Sequence, residues 1–341
     1  MGEMENPHRR RGALVAGGVM LMTGLLAGCA GLLDRDDLSG IDFRGEMRSF
    51  VEEIAEYGRD SASGFIVIPQ DGHELVTLDG GSSGPLASDY VQAIDGMGRE
   101  DLFYGYDRDN EPTPAEETDR IAAFLDRARD AGVTILVTDY CDTQSYVDDS
   151  YEKSAARGYI SFAADNRELD RIPAYPSGGY NTHIGAVTTI SAAANFLYLL
   201  NPGEYESAEA FVTALDATQY DAFIIDAFFD GDQLLSAEQV SRLQSKPGGA
   251  RRLVISYMSI GEAEDYRFYW ETGWRPGVPE WVEDENAFWR GNYKVRYWYD
   301  DWKALIMGGD DAYLDRILAA GFDGVYLDII DAYEYFEDEY L

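Results

Sequence analysis

The sequence predicts an α/β protein in which eight parallel strands alternate with helices, the (β/α)8 or TIM barrel. Eight short apolar or aromatic runs supply the strands; most are separated by helical patterns, and most end in Asp or Glu. The runs lie near residues 65, 102, 133, 158, 222, 253, 294 and 322. An open doubly wound sheet is the alternative, but no glycine fingerprint of the dinucleotide-binding type follows any strand.

The first half of the predicted domain opens with a helix and contains four of the strands. Apolar residues at helical spacing, a proline that ends a strand, and a Thr-Pro pair followed by two glutamates give the boundaries. The elements are a helix over 46–57, strands over 64–69 and near 94–106, a helix from Thr113 to about Ala131, and strands over 133–138 and 158–164.

The second half begins with a long loop over 165–194, which is rich in proline, glycine and small residues. A short buried segment is expected at 195–200. The remaining elements are strands over 220–229, 253–258 and 294–298, a helix that starts at Ser236 and stops at Pro247, and a last helix over 312–320.

Residues 321–336 carry the clearest chemical signal in the chain. Val325, Tyr326 and Leu327 read as a buried strand, and Asp328 follows at once. Asp328 could cap a helix or loop. However, the carboxyl ends of barrel strands carry the catalytic residues of that fold, and several other predicted strands also end in acids.

Composition limits the partners. The net charge of −36 argues against a nucleic-acid ligand, because phosphates would be repelled. The basic residues are almost all arginine, and an acidic, lysine-poor surface suits a salt-rich habitat. Clusters of His and Cys suited to zinc are absent, and neither His73 nor His183 lies in a nucleophile motif. We therefore expect no metal and no cofactor.

The first 28 residues read as an export signal rather than as part of the fold. Three arginines precede an apolar run over 12–26, and Leu26-Ala27-Gly28-Cys29 resembles the lipobox of prokaryotic lipoproteins. Cys29 is then the lipidated residue, residues 29–45 are a tether, and residues 46–341 are the barrel. A lipid-anchored, extracytoplasmic monomer is expected. An uncleaved membrane anchor and a twin-arginine signal are the alternatives, and Cys141 is expected to be a core residue.

Four segments of the second half, and three of the first, resemble one known family. They are YDAFIID (220–226), YMSIGEAEDYRFYW (257–270), PEWVEDENAFWRGNYKVRYW (279–298) and GFDGVYLDIIDAY (321–333), then FIVIPQDG (65–72), IDGMGREDLFYGY (94–106) and VTDYC (137–141). The resemblance is to glycoside hydrolase family 114, the endo-α-1,4-polygalactosaminidases, and their bacterial and archaeal barrel relatives. Many relatives place the YDAFIID-like strand first. Here the IPQDG half comes first, so the resemblance implies a circularly permuted barrel.

The resemblance also implies a pair of carboxyl groups, which glycosidic cleavage usually requires. The family's GVEPDN-type strand end falls on residues 324–329, so its acid is Asp328. The family's second candidate is a glutamate five residues after an aspartate, and Asp95 and Glu100 have that spacing. We therefore expect Asp328 and Glu100 to form the pair, with Glu100 as the proton donor. Tyr326 and Ile329 replace the family's glutamate and asparagine.

Other residues are expected to bind the substrate around this pair. They are Asp226, Tyr257, Glu262, Asp331, Asp139, Asp95 and Gln70. Each has a structural interpretation too: Asp226 and Asp139 could cap loops, and Glu262, Glu264 and Asp265 could form a surface ion network with Arg267. The expected function is hydrolysis of an α-linked amino-sugar polysaccharide. A catalytically inactive, carbohydrate-binding lipoprotein is the alternative.

Overall fold

The computed structural model describes residues 38–229 and 231–341. The strands within these residues are β1 (Ile66–Pro69), β2 (Gly96–Glu100), β3 (Thr134–Tyr140), β4 (Ile160–Ala164), β5 (Phe196–Leu199), β6 (Ala222–Asp226), β7 (Leu253–Ser259), β8 (Glu262–Glu264), β9 (Val282–Glu285), β10 (Asn292–Val295) and β11 (Gly324–Asp328). The α-helices are α1 (Phe43–Ser61), α2 (Ser88–Ala93), α3 (Ala115–Asp130), α4 (Gln144–Arg157), α5 (Ala208–Asp216), α6 (Ala237–Leu243), α7 (Asp300–Ile306), α8 (Tyr313–Ala320) and α9 (Ala332–Tyr340).

Two parallel sheets form the centre of the molecule. One has the order β1-β11-β7-β6-β5, and the other has the order β2-β3-β4. A single parallel bridge between Gln70 and Gly98 joins them on one side. On the other side β4 lies beside β5, with the rings of Phe162 and Phe196 5.8 Å apart, but no hydrogen-bonded ladder connects these two strands in the described residues. The arrangement is a mixed α/β fold consistent with the (β/α)8 type.

The sequence of the central strands explains why they lie inside. Both faces of a parallel sheet covered by helices are buried, which requires continuous apolar runs rather than alternation. The runs IVIP, FLYL and LVISYMS are buried at every position of β1, β5 and β7. The runs of β6 and β11 are buried up to their last residue, an aspartate in both cases. Each acid therefore stands where the apolar strand reaches the edge of the sheet.

The helix α1 packs against β1, the strand that pairs with β11. Its buried face includes Phe43, Met47 and Phe50, and Asp42 caps its first turn by accepting a hydrogen bond from Gly45 N. The ring of Phe43 packs 5.4 Å from that of Phe336 on α9. The first and the last described helices therefore pack against each other beside adjoining strands.

Two of the expected elements need correction. The run near residue 294 is not a central strand, because β10 pairs antiparallel with β8 and β9 in a separate sheet and is only half-buried. Its polar Asn292 and Lys294 do not suit a strand buried on both faces. The eighth central strand is instead β5, expected only as a short buried segment. The helix α8 is not the last one, since α9 follows β11.

The expected signal peptide at 1–28 lies outside the described residues, and so do Cys29 and most of the tether. Cys141, expected in the core, is buried and free. None of the helices in the described part of the chain combines the length and the apolar character needed to cross a bilayer.

The helix α6 begins as the sequence predicts and offers a test of local stability. Ser236 Oγ accepts a hydrogen bond from Gln239 N, and Gln239 Oε1 accepts one from Ser236 N, which together form a capping box. We expect Ser236→Ala to lower the free energy of unfolding by about 1 kcal/mol, measured by urea denaturation. Ser241→Ala, an exposed change inside the same helix, is the matched control and should alter it by less than about 0.5 kcal/mol. Equal effects of the two changes would contradict the capping role.

Candidate active site

A cavity of about 520 Å³ lies at the carboxyl ends of the parallel strands. Glu100, Tyr140, Asp226 and Asp328 are the last residues of β2, β3, β6 and β11, and all four line it. Gln70, directly after β1, lines it as well. Parallel strands bring their carboxyl ends to one edge, so residues far apart in the sequence meet here. Gln70 and six other residues expected to be catalytic or substrate-binding line the cavity: Glu100, Asp226, Tyr257, Glu262, Asp328 and Asp331.

Glu100 is half-buried at the cavity wall. Its Oε1 accepts a hydrogen bond of 2.6 Å from the hydroxyl of Tyr140. Burial, together with the negative charges of Asp71 and Asp101, raises the pKa of Glu100 to about 8. The hydrogen bond from Tyr140 and the charge of Arg167 oppose that rise without cancelling it. Glu100 therefore holds its proton at neutral pH.

Asp328 has a similar environment on β11. Its Oδ2 accepts a hydrogen bond of 2.9 Å from the hydroxyl of Tyr257, on the neighbouring strand β7. Burial raises the pKa of Asp328 to about 7, and the charges of Asp331 and Asp71 add to the effect. Hydrogen bonds from Tyr257 and from the backbone of Ile329 act in the opposite direction. Both carboxyl groups therefore have a pKa well above that of an exposed carboxylate.

The negative charge of Asp71 acts on both of these carboxyl groups. Asp71 follows β1, which pairs with β11 on one side and is bridged to β2 on the other. Its charge contributes to the raised pKa of both Glu100 and Asp328. Arg99 donates to Asp71 Oδ1 at 2.7 Å in a buried ion pair, and the Asp71 backbone has a left-handed φ of 60°. The carboxyl ends of β1, β2 and β11 therefore present three neighbouring acids.

Two tyrosines lie below the carboxylates. The hydroxyl of Tyr198 donates to Gln70 Oε1 at 2.9 Å, and its ring lies 5.2 Å from that of Tyr326. The hydroxyl of Tyr326 is buried and makes no hydrogen bond within the described part of the chain. A Cβ at Gly98 would lie only 1.9 Å from that hydroxyl, so the ring approaches a bare backbone. Tyr326, where the resembling family has glutamate, thus fills the space under the site.

A buried ion network forms another part of the wall. Arg267 pairs with Asp226 at 2.8 Å and with Glu264 at 2.6 Å, and the side chains of Arg267 and Glu264 are almost fully buried. The ion network around Arg267 is therefore buried, and its interpretation as a surface network is wrong. Asp226 does line the cavity, but Arg267 already engages both of its carboxylate oxygens.

The antiparallel sheet of β8, β9 and β10 covers one side of the cavity. Glu262 on β8 accepts a hydrogen bond from Asn286 Nδ2 at 2.9 Å. Phe288 and Trp289, between β9 and β10, are exposed and line the cavity. Of the other tryptophans, Trp281 and Trp302 are buried and pack 5.1 Å apart, as expected for core residues.

Two expected site residues do not line the cavity. Asp139 is fully buried, where it accepts hydrogen bonds from the backbone of Phe103 and Tyr104 and from Ser150 Oγ. It therefore fixes the loop after β2, in keeping with the alternative interpretation. Asp95 precedes β2 and accepts from Val67 N and Arg59.

The position of Asp95 has a geometric reason. Glu100 is at the far end of the same five-residue strand, and a strand rises about 3.3 Å per residue, so the two backbones are about 16 Å apart. The five-residue spacing thus separates these acids rather than pairing them.

Several wall residues were not among the expected set. Asp71 could have been found, because it directly follows Gln70 at the end of a predicted strand, and Tyr140 likewise follows Asp139. Other members come from loops or from the antiparallel sheet, for which the sequence gives no positional signal. They include Arg167, Leu169, Asn201, Asn286, Arg290 and Lys294. Within residues 38–229 and 231–341, no group of three or more His, Cys, Asp or Glu could hold a metal ion.

Comparison with known proteins bears on the second half of the chain. Residues 185–340 match the model of glycoside-hydrolase family GH114. This match supports a relationship to that family and, at the general level, to glycosidases. The matched range includes Asp328, Asp226 and Glu262, whereas Glu100 and Asp71 precede it.

Curated relatives come from distant organisms. An uncharacterized protein of Methanocaldococcus jannaschii is 38% identical over 154 residues, covering 45% of this chain and 42% of the relative. Uncharacterized proteins of Thermotoga maritima (33% over 158 residues, 46% of each) and Deinococcus radiodurans (38% over 123 residues, 36% of this chain and 37% of the relative) are similar too. The chain spans less than half the length of these relatives.

Proposed function

We propose that this protein is a glycoside hydrolase in which Glu100 and Asp328 form the catalytic carboxyl pair. One observation carries the proposal: both groups line one cavity at the strand ends, and each has a raised pKa, about 8 for Glu100 and about 7 for Asp328. Pairs of acids whose environments separate their pKa values are typical of sites that combine an acid with a base or nucleophile. The family match over residues 185–340 supports the same reaction class.

We propose Glu100 as the acid and Asp328 as its partner, and the raised pKa of Glu100 supports that assignment. Glu100 keeps its proton at neutral pH and donates it to the leaving glycosidic oxygen. Asp328 loses its proton first and acts as the nucleophile or as the base that activates water. The nearby charge of Asp71 favours the protonated form of Glu100, so Asp71 assists the acid without touching the reacting bond.

For the substrate, we propose an α-linked amino-sugar polysaccharide of the polygalactosaminidase type, cleaved internally and without a cofactor. The acids that line the cavity favour a cationic sugar, because the ammonium group of an amino sugar would be attracted to Asp331 and Glu262. Seven Asp or Glu residues line the cavity against four Arg or Lys residues, so carboxylates outnumber the cationic side chains.

The proposed enzyme is a single barrel over residues 46–341, permuted relative to many family members. The parallel pairing of β1 with β11 and the adjacency of β4 and β5 support that order. We propose further that lipid on Cys29 anchors the protein as a monomer outside the cytoplasm.

A second function, carbohydrate binding without turnover, is favoured by one observation. Tyr326 occupies the position of the family's glutamate, and its hydroxyl has no hydrogen-bond partner among the described residues. A barrel altered in this way would retain affinity for the sugar while forming no product.

The deciding experiment is digestion of a polysaccharide panel by the lipid-free protein in high salt. The panel contains partially deacetylated polygalactosamine, chitosan, amylose and pectin, and product is measured as new reducing ends. We expect cleavage of the amino-sugar polymer and its loss in Asp328→Asn. Asp323→Asn, a change of the acid that precedes β11 rather than of the one that ends it, is the control for an effect on folding alone. Full activity in Asp328→Asn would refute the assignment.

A further inference from the structure

The segment between β9 and β10 presents two adjacent aromatic side chains to the cavity. Phe288 and Trp289 are 46% and 41% exposed, and both line the same cavity as Glu100 and Asp328. Large exposed aromatic residues are costly in water, and they mark binding surfaces when they border a cavity. Neither residue is needed to close the barrel, because they belong to a loop outside the parallel sheets.

One side chain holds this aromatic segment in place. Asn286 Oδ1 accepts hydrogen bonds from the backbone N–H groups of Phe288 (3.0 Å) and Trp289 (3.2 Å). The same side chain donates through Nδ2 to Glu262 Oε1. These hydrogen bonds connect the loop to a carboxylate in the cavity wall.

Glu262 has a second oxygen that this arrangement does not use. The residue is 2% exposed and lines the cavity. Its Oε2 has no hydrogen-bond partner of ordinary geometry among the described residues, although the side chain of Asn292 on β10 also interacts with this carboxylate. A buried carboxylate oxygen without a donor is unfavourable by more than an ordinary lost hydrogen bond. Lys294, opposite Glu262 on β10, is 3.6 Å from the other oxygen, Oε1. A donor from a ligand would satisfy Oε2.

We propose that residues 286–291 form a sugar-binding arm, in which Trp289 stacks on a ring of the glycan and Glu262 accepts a hydrogen bond from an amine or hydroxyl of that chain. The inference rests on the proposed function for the class of ligand. It goes further in assigning affinity and amino-sugar preference to the antiparallel sheet, away from Glu100 and Asp328. A stacked aromatic ring tolerates many sugars, whereas a carboxylate acceptor favours a cationic donor.

The test measures binding separately from cleavage. Dissociation constants are determined by calorimetry with the Asp328→Asn protein, using hexasaccharides of α-1,4-linked galactosamine, of chitosan and of maltose. We expect Trp289→Ala to weaken binding of the galactosamine hexamer by about tenfold, since the ring loses both stacking and buried area. Ile184→Ala, which removes an exposed apolar side chain that does not line the cavity, should leave the dissociation constant unchanged.

Glu262→Gln tests the role of the Glu262 carboxylate beside the arm, because glutamine keeps an oxygen that accepts from Asn286. It should weaken binding of the galactosamine hexamer by about tenfold and that of maltohexaose much less, since only the former carries ammonium donors. A purely structural role would weaken all sugars equally. The arm is refuted if Trp289→Ala matches Ile184→Ala, or if none of the hexamers binds. Trp289-dependent binding without product from the wild-type protein would support the arm and refute the hydrolase.

Discussion

Replacing Glu100 by glutamine is expected to lower kcat for the amino-sugar polymer by about 10²–10⁴-fold, the usual contribution of a general acid. The amide has the shape of the carboxylic acid and can still accept from Tyr140, but it supplies no proton to the leaving oxygen. Initial rates over a pH series measure the effect. Activity within twofold of wild type would exclude Glu100 as the donor.

The pH dependence of the wild-type rate gives an independent check. Asp328 must be ionised, so the rate should fall as pH drops below about 7. Glu100 must be protonated, so the rate should fall as pH rises above about 8. In Glu100→Gln the residual rate should lose the alkaline limb and keep the acidic one.

Glu100→Gln should lower the activity without lowering the stability of the folded protein above neutral pH. Because the pKa of Glu100 is raised in the folded protein, the folded state holds this proton more tightly than the unfolded chain does. Stability from this group is complete at low pH and declines as pH rises towards about 8. We therefore expect Glu100→Gln to melt at the same temperature as wild type or higher above neutral pH. A lower melting temperature there would assign the activity loss to misfolding.

The second large effect is expected far from the cavity, at Lys246. Its ammonium is fully buried and donates to His183 O (2.9 Å) and Gly185 O (3.0 Å) while it pairs with the buried Asp221. Asp221 also accepts from Ala194 N at 2.7 Å. Lys246→Met would remove the ammonium from the buried carboxylate of Asp221, which would keep His183 Nε2 at 2.9 Å and Ala194 N as partners. Loss of the buried ion pair costs about 3–5 kcal/mol of unfolding free energy.

Chemical denaturation measures this loss, and an exposed pair provides the control. Lys153 pairs with Asp149 at 2.6 Å and both side chains are more than a third exposed, so Lys153→Met should cost less than about 1 kcal/mol. Adding Asp221→Asn to Lys246→Met should recover part of the loss, because the two positions interact directly. Equal losses for the two lysine changes would show that burial of the Lys246 pair is unimportant.

Most of the parallel strands could be predicted because they are continuous apolar runs, and the runs of β6 and β11 end in an aspartate. The run FLYL at 196–199 has the same character, but its four residues stand beside a long loop, and a short apolar run alone does not distinguish a strand from a buried turn. The aromatic run near 294 was persuasive for the opposite reason. Val295, Tyr297 and Trp298 suit a strand, but the polar residues beside them and the pairing with β8 and β9 place the strand in another sheet.

The candidate site was predictable where it depends on strand ends and unpredictable where it depends on tertiary contacts. Asp328 and Glu100 end strands, and the fold brings their strands to the same edge. Asp95 had the expected spacing, but spacing along a strand separates residues instead of joining them. The burial of Arg267 and the hydrogen bond between Asn286 and Glu262 depend on how the antiparallel sheet packs over the edge of the parallel sheets. No local pattern carries that information.

The separate hydrogen bonding of β8, β9 and β10 has a consequence for how this scaffold can diversify. Its ladder shares no strand with either parallel sheet in the described chain, so insertions or exchanges between β9 and β10 leave the pairing of the parallel strands intact. Residues at the ends of the parallel strands and residues of the loop between β9 and β10 can therefore mutate independently of each other. A lineage could acquire a new sugar preference by drift in one short hairpin, while the chemistry inherited from its ancestor is retained.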